Sequence, residues 1–550
     1  MSTGPVNPSS PAPANTPPVG TPPAAVPGPE TVTVTIDGKA MQVPKGTNLL
    51  EACNAAGANV PFFCYHPGLS SPAVCRQCLV DVKGQPKPVP SCYTPVADKM
   101  EVQTATPKVL DVRRQMLEFT LVNHPIDCPI CDKAGECMLQ KHYFDWDGKL
   151  ARNDGIKVKK AKVVDLGPTV VLDQERCILC TRCIRVCDEV AGVHQLEMSK
   201  RGDHELLGTA PGHQLDNPYS LNVVDVCPVG ALTAKDFRFA MRAWELYATP
   251  SVCTGCATGC NTEIHSSRGR IYRLVPRVNE KVNKHWMCDE GRMTYKAVHA
   301  DRLAAPMSEG AAVEWDRALD DATRRLRAVL DQGPGRLGVV FNATSPNEDL
   351  YALAKLAFEH LGVGKAYLAG RDQGWSDKIL VSADKNPNTA GAMAIGAGRL
   401  KTLVDLANDL KAGTIGALLV VGTDGVLVGD KATLPLERLE ALVVLSTHKN
   451  AVTQAAHVAL PLAGWAELDG TFTNKLGMVQ RAHAAIPPAG DALAGWDILS
   501  HLAHKLGATM DFASAKAVFT EAQSKLDFMK GADWGRAVRP LQLRFANSRG

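Results

Sequence analysis

This chain has no long apolar run, no marked excess of either charge and, beyond residue 288, no cysteine. Each absence excludes something. A helix that crosses a membrane needs about 18 or more consecutive apolar residues. The richest stretch, residues 415–429, is interrupted by Gly422, Asp424 and Gly425 and reads as a strand and turn. A net charge of +3 over 550 residues gives no strong pull toward nucleic acid or anionic lipid. The short basic run Lys157, Lys159, Lys160, Lys162 is expected on a solvated strand face. The N-terminus has no charged flank followed by an apolar core, so no secretory signal is expected. No GxGxxG opens a helix after a strand, and the glycines of residues 364–374 follow another order, so no nicotinamide fingerprint is present. The sequence shows no convincing internal repeat. Any membrane association is expected to come through partners.

What is there is cysteine, and it is grouped. The chain holds 17, an odd number in a long chain, which argues against a secreted disulfide framework and for metal in a reducing compartment. Fifteen of them, with one histidine, fall into four sets. The first is Cys64, Cys75, Cys78, Cys92, spaced C-x10-C-x2-C-x13-C. The second is His124, Cys128, Cys131, Cys137, written HPIDCPICDKAGEC, where Pro125 and Pro129 stiffen the loop and Gly135 relaxes it. The third is Cys177, Cys180, Cys183 and, far downstream, Cys227. The fourth is Cys253, Cys256, Cys260, Cys288.

Iron–sulfur clusters take such ligand sets. The first set suits a [2Fe–2S] cluster on a wrapping loop. In the second, only three cysteines are at hand, so His124 can supply the fourth ligand. An imidazole in place of a thiolate leaves a cluster less negative and tends to raise its potential. In the third, the run CILCTRCIRVC has the C-x2-C-x2-C-x3-C spacing in which the last cysteine serves a different cluster. That logic gives Cys177, Cys180 and Cys183 one [4Fe–4S] cluster with Cys227, which is followed by Pro228, and leaves Cys187 as a buried thiol. The assignment with Cys187 as fourth ligand stays open. The fourth set suits a [4Fe–4S] cluster. Structural zinc, including a Cys3His knuckle at the second set, remains an alternative on spacing. Cys53 is expected to be a core residue on a helix.

Around these sets the chain changes character several times. Residues 1–30 are Pro, Ala, Gly, Ser and Thr, and are expected to be disordered. Val32, Val34 and Ile36 alternate, Asp37-Gly38 turns, and Met41–Val43 returns, which predicts a hairpin. Thr47 is expected to cap the helix that follows. Strand, turn, strand, helix and cysteine loop are the order of a β-grasp ferredoxin. Helical spacing covers 108–122, and residues 156–172 read as β-rich. Beyond 315, helices at Trp315–Leu330 and Asp349–Leu361 alternate with apolar strands at 338–341, 418–421 and 442–446, which predicts a parallel α/β layer.

Together, HPIDCPICDKAGEC, RCILCTRC and CPVGAL resemble the family of large iron–sulfur subunits of bacterial NADH:quinone oxidoreductase, respiratory complex I. The resemblance covers about residues 31–300. Residues 458–474 and Gln480 are similar, more weakly, to the molybdopterin oxidoreductase fold, but the acid and arginine of that fold's NxEGRxQ continuation are lost and no thiolate follows for molybdenum. The resemblance implies a multidomain α+β and α/β chain: a tail (1–30), a β-grasp [2Fe–2S] ferredoxin domain (31–108), a His(Cys)3-ligated [4Fe–4S] domain (109–150), a ferredoxin-like [4Fe–4S] domain (151–245), a [4Fe–4S] domain of Mo/W-bisMGD type (246–302) and a degenerate molybdopterin-oxidoreductase-like α/β domain (303–550). It implies one [2Fe–2S] and three [4Fe–4S] clusters, the fourth set being occupied only in some family members, and no molybdenum.

The expected work is single-electron relay from a flavin/NADH-binding subunit, through other hydrophilic-arm subunits, toward quinone. The expected place is the cytoplasmic face of the bacterial inner membrane. No nucleic acid is expected, and no substrate-converting site of the chain's own. The alternative is the iron–sulfur subunit of a soluble NAD-linked hydrogenase or formate dehydrogenase, or, in another class, a zinc-stabilised scaffold.

Overall fold

The computed structural model describes residues 30–146, 151–153, 155–426, 434–535 and 541–542. The tail assigned to residues 1–30 lies, but for Glu30, outside them. The chain divides into two compact units. One runs to Val60 and resumes over Leu79–Val109; the other takes Pro61–Cys78 and continues from Leu110.

The smaller unit is a five-stranded sheet with one helix. Strands β1 (Thr31–Ile36) and β2 (Lys39–Pro44) pair antiparallel in register from Thr31 with Pro44 to Ile36 with Lys39. Asp37 and Gly38 both take positive φ, +48° and +82°, the backbone a two-residue turn requires. Val32, Val34 and Ile36 are buried and alternate with more exposed threonines, so the period of the sequence sets the face. Helix α1 (Leu49–Ala55) follows. It is capped by Asn48, whose side chain accepts from the Leu50 amide at 3.0 Å. The expected cap, Thr47, instead donates its hydroxyl to the Pro44 carbonyl at 2.7 Å and belongs to the preceding turn. Cys53 is fully buried on this helix. Strands β3 (Leu79–Val82), β4 (Val89–Pro90) and β5 (Met100–Gln103) complete the sheet in the order β2-β1-β5-β3-β4, with β1 and β5 parallel.

In the larger unit, the part before residue 300 is poor in regular structure. Helix α2 (Pro107–Val122) enters it and helix α3 (Met138–Trp146) follows the second cysteine set. The region 156–172 carries strand only at Val164–Asp165 and Val170–Leu172. The expectation of wider β-structure fails because side chains occupy its backbone donors: Val158 N donates to the Asn123 side chain at 3.0 Å and Lys160 N to Glu175 at 3.3 Å. The basic run lies on no strand, and only Lys159 and Lys162 of its four lysines are exposed. Lys157 Nζ donates to the Leu121 and Val122 carbonyls at 2.8 Å, Lys160 Nζ to Glu205 O at 2.7 Å, and Lys162 pairs with Glu175. Strands at Tyr247–Val252, Asn261–Ser267 and Arg270–Pro276 form an antiparallel sheet around the fourth set.

Beyond residue 300 lies an eight-stranded sheet. Its central strands, Val458–Pro461, Ala441–Ser446, Ala417–Val421, Leu337–Asn342 and Lys365–Ala369, run parallel in that order. Strands Leu337–Asn342, Ala417–Val421 and Ala441–Ser446 are buried at every position, as a sheet covered on both faces demands. Trp315–Leu330 is a helix with Ala318, Leu319, Ala322, Leu326 and Val329 on its buried face. The helix expected at 349–361 begins at Asn347 and widens into a π-turn over Lys355–His360. Among the described residues no helix is long and apolar enough to cross a membrane.

Candidate metal centres

The third set is built on the loop before a single turn of helix, Arg182–Arg185. Leu179 and Thr181 both take left-handed φ, +56° and +60°, a backbone that costs non-glycine residues about 1–3 kcal/mol each. It winds the CILC loop tightly enough for Cys177, Cys180, Cys183 and Cys227 to line one small cavity with Met198, Leu207 and Val229. Cys187 does not line it. It is fully buried on the next turn, where Asn217 hydrogen-bonds its sulfur. Burial pushes the Cys177 thiol up to about 12 and the Cys180 thiol to about 11. Such thiols shed protons only to a group that brings strong positive charge, as iron does.

In the second set, His124, Cys128, Cys131 and Cys137 line a single cavity of about 190 Å3. Burial, and then the nearby Arg176 charge, lower the His124 pKa to about 4, so the imidazole is neutral at pH 7. Among the described residues its Nδ1 has no hydrogen-bond partner, as befits a nitrogen kept for a metal. The loop is clamped from outside. Arg242 donates to the carbonyls of Cys131 at 2.9 Å and Pro129 at 2.7 Å, and Arg176 grips Asp127 at 2.6 and 3.0 Å. Gly230, three residues after Cys227, passes so close that a methyl on it would collide with the Cys131 sulfur.

The fourth set closes through the backbone. Cys253 N donates to Cys260 O at 2.8 Å, Gly255 N to the Cys253 sulfur at 3.4 Å and Gly291 N to the Cys288 sulfur at 3.3 Å. A methyl on Gly291 would lie 2.9 Å from Cys253 Sγ and 3.3 Å from Cys288 Sγ, so these two sulfurs flank one glycine. Burial raises the Cys253, Cys260 and Cys288 thiols, the last to about 11.

Three members of the first set, Cys64, Cys75 and Cys78, lie on the Pro61–Cys78 segment of the larger unit. The Phe63 and Cys64 amides donate to the Cys75 sulfur at 3.4 and 3.5 Å. A hydrogen bond with Cys64, then burial, raises the Cys75 thiol. Cys92 belongs to the smaller unit, where it is fully buried and its carbonyl accepts from Asn48 Nδ2 at 2.5 Å.

Among the described residues no group of three or more Cys, His, Asp or Glu side chains converges on a point suited to one metal ion. Sequence reasoning missed Arg176, Arg182, Arg185 and Gly230, which lie among these sets. The two arginines of CTRCIRVC have partners far along the chain, which no local pattern in the sequence reports.

The sheet domain holds a different space. A cavity of about 530 Å3 opens at the carboxyl ends of the parallel strands, beside Thr344–Pro346 and Gly422–Gly425, where the strand order reverses. It has no cysteine. The Asn474–Gln480 loop packs away from it onto the fourth set: Asn474 Nδ2 donates to Thr258 O at 3.3 Å, and Gln480 accepts from Asn261 at 2.5 Å.

Family models match in chain order: a 2Fe-2S iron-sulfur cluster binding domain over residues 29–107, the NADH-ubiquinone oxidoreductase-G iron-sulfur binding region over 113–146 and the ferredoxin-like domain of NADH-quinone oxidoreductase subunit 3 over 167–233. The molybdopterin oxidoreductase Fe4S4 domain then matches over 247–300 and molybdopterin oxidoreductase over 368–505. The G-type subunit of NADH-quinone oxidoreductase from Streptomyces coelicolor is 39% identical over 341 residues, 60% of this chain and 40% of the relative. Over that stretch the chain is similar to this G-type subunit.

The mitochondrial NADH dehydrogenase [ubiquinone] iron-sulfur protein 1 of Solanum tuberosum is 44% identical over 302 residues, 54% of this chain and 40% of its own. The NADH-ubiquinone oxidoreductase 75 kDa subunit of Reclinomonas americana is 39% identical over 65% of this chain and 53% of its own. The chain thus spans about half the length, or less, of the curated relatives it matches. A solved NAD+-reducing [NiFe]-hydrogenase chain is 29% identical over 38% of this chain and 91% of its own, at a TM-score of 0.36. The fold class read from the sequence agrees with these matches: a ferredoxin-like start, 4Fe-4S domains and a molybdopterin-oxidoreductase end.

Proposed function

We propose that this chain relays single electrons through iron–sulfur clusters within an NADH:quinone oxidoreductase, from a flavin-bearing partner toward a partner that reduces quinone, at the cytoplasmic face of a bacterial inner membrane. The clusters would supply the one-electron redox chemistry. The observation that carries the reading is that the second and third ligand sets each line a buried cavity of their own. Cys64, Cys75, Cys78 and Cys92 would hold a [2Fe–2S] cluster. His124, Cys128, Cys131 and Cys137, then Cys177, Cys180, Cys183 and Cys227, and then Cys253, Cys256, Cys260 and Cys288 would hold [4Fe–4S] clusters.

The residues do three things: they bind, they exclude water and they set the gaps. The third set is the junction of the larger unit. Arg185 touches carbonyls beside it and in the first set, Gly230 abuts Cys131 of the second, and Asn222 bonds both ways with Met287, next to Cys288 of the fourth. These contacts support a route from the first set through the third to the second, with the fourth as a branch. Iron and acid-labile sulfide analysis of anaerobically purified protein tests the reading. About fourteen irons per chain are expected from one two-iron and three four-iron centres, and about ten if the fourth set is empty. Zinc in their place overturns it.

A further inference from the structure

Two arginines are buried where the first and third sets meet. Arg182 and Arg185 are 5% and 8% exposed, on the helical turn that carries Cys183. Arg185 Nη2 donates to Cys64 O at 2.6 Å and to Cys180 O at 3.3 Å, and its Nη1 donates to Ser70 O. Arg182 Nη1 donates to the carbonyl of Val226, the residue before Cys227, at 3.0 Å, and its Nη2 to that of Tyr65, the residue after Cys64. Each guanidinium thus holds the first-set loop and the third-set frame at once. Their other partners are the Thr181 hydroxyl at 3.4 Å, the Met138 sulfur at 3.8 Å and the Phe62 ring. No carboxylate among the described residues pairs with either. The acids on the same segment are engaged elsewhere: Asp188 with His194 at 2.9 Å, and Glu189 by the Ser70 amide, at 2.8 Å, and hydroxyl. A buried cation without a counter-charge is strongly disfavoured. The groups that carry negative charge there, once they hold iron, are the sulfurs of the two sets whose loops the guanidiniums bind. Four thiolates around an iron–sulfur core leave it negative and supply that counter-charge.

We propose that Arg182 and Arg185 are positioning residues for electron transfer between the first-set and third-set centres: their fixed charge raises the reduction potential of both, and their carbonyl bonds set the gap between them. The proposal rests on the iron–sulfur reading of those two sets. Reduction adds negative charge to a centre, so an immobile cation beside it favours the reduced form. In the hop itself the donor centre loses one electron and the acceptor gains one; no bond or proton moves. The planar guanidinium reaches two carbonyls at once, which a lysine ammonium on its flexible stem does not do in one fixed geometry.

The test is a redox titration followed by paramagnetic resonance, with iron content, on Arg185→Gln, Arg185→Lys and Arg182→Gln in the native assembly. In Arg185→Gln the potentials of the first- and third-set centres fall together while those of the second and fourth stay. In Arg185→Lys the potentials return most of the way, but the magnetic coupling between the two centres changes. Wild-type potentials with full iron in the glutamine variants overturn the proposal, as does an equal shift at all centres, which would mean general loosening. If Arg185→Gln loses iron, Arg182→Gln and Arg185→Lys read the same two quantities, and no change in either variant is decisive against it. If the wild-type assembly gives no cluster signals, the iron–sulfur reading itself fails and the proposal falls with it.

Discussion

Strand Ala441–Ser446 is buried at all six positions and hydrogen-bonded to a parallel neighbour on each edge. The segment Cys177–Cys183, of similar length, has no strand, one turn of helix at its end and two left-handed residues. Both are interior. The first is held by apolar burial: Leu419, Val443 and Leu445 belong to a core of aliphatic side chains that the sheet and its helices share. The second lies in a core where Cys137, Cys183, Cys227, Cys253, Cys260 and Cys288 stand among the leucines and valines. A sheet satisfies its own backbone and can be buried without outside help. A cysteine loop directs backbone donors at sulfur and takes strained dihedrals, so its order depends on what the sulfurs bind.

On that difference, metal removal should split the larger unit. Chelation under reducing conditions is expected to abolish hydrogen-exchange protection over residues 124–137, 177–230 and 253–291. The strands at 337–342, 417–421 and 441–446 should stay protected. Uniform loss across both regions would end the comparison. A sharper cut uses single methyl groups. Gly230→Ala places a carbon against the Cys131 sulfur and is expected to lower iron by about four per chain, one four-iron centre, with the sheet domain's melting unchanged. Conversely, Leu419→Ala, in the aliphatic core, should cost about 2–5 kcal/mol of sheet-domain stability and leave iron content alone.

A buried ion pair offers an intermediate case. Arg302 binds Glu467 through both nitrogens, and Glu467 also accepts from the Gly464 amide at 2.6 Å. Removing one charge with Glu467→Gln should cost about 3–5 kcal/mol in denaturant melts followed at the sheet domain.

On the cysteine side, His124→Cys is expected to keep a cluster, because a thiolate can take the imidazole's place, but to lower that centre's potential. A redox titration that finds the centre unmoved would remove the reason for a histidine there.

The smallest effect is a pH dependence confined to the sheet domain. Burial raises the Glu348 carboxyl to about 8 and the Asp349 carboxyl to about 7. Folding therefore favours their protonated forms. The resulting stability is fully present below the ordinary carboxylate range and is lost as pH rises toward about 8. Glu348→Gln should flatten the melting-temperature profile between about pH 4.5 and 8, while metal retention at the cysteine sets keeps its own pH dependence.

The sheet domain and the ligand sets were legible in the sequence for opposite reasons. Residues 418–421 and 442–446 announce strands by unbroken apolar character. The hairpin at Thr31–Pro44 announces itself by alternation and Asp37-Gly38. Cys177, Cys180 and Cys183 announce by spacing alone a shared site, and the structure gathers them around one cavity. What stayed hidden depends on partners far along the chain. Arg182 and Arg185 meet carbonyls 115 to 121 residues away, and no local pattern reports such burial. The backbone of 156–162 looked β-rich because its competitors for hydrogen bonds, Asn123 and Glu175, lie outside the window. The cap moved by one residue, from Thr47 to Asn48, because both side chains can do the work and only geometry decides.

The loop from Pro61 to Cys78 hangs from its neighbours in part by main-chain oxygens: those of Cys64, Tyr65 and Ser70 on the two arginines, and that of Phe62 on His142 at 3.1 Å. Main-chain oxygens are the same whatever side chain they belong to. Such a loop should accept changes at exposed positions such as Pro67 and Val74, which no anchor uses, and resist changes at its buried Phe63, Tyr65 and Leu69 and in its count. A deletion or insertion of one residue between Tyr65 and Ser70 would leave the oxygens of Phe62, Cys64 and Tyr65 on their hooks and pull that of Ser70 off Arg185.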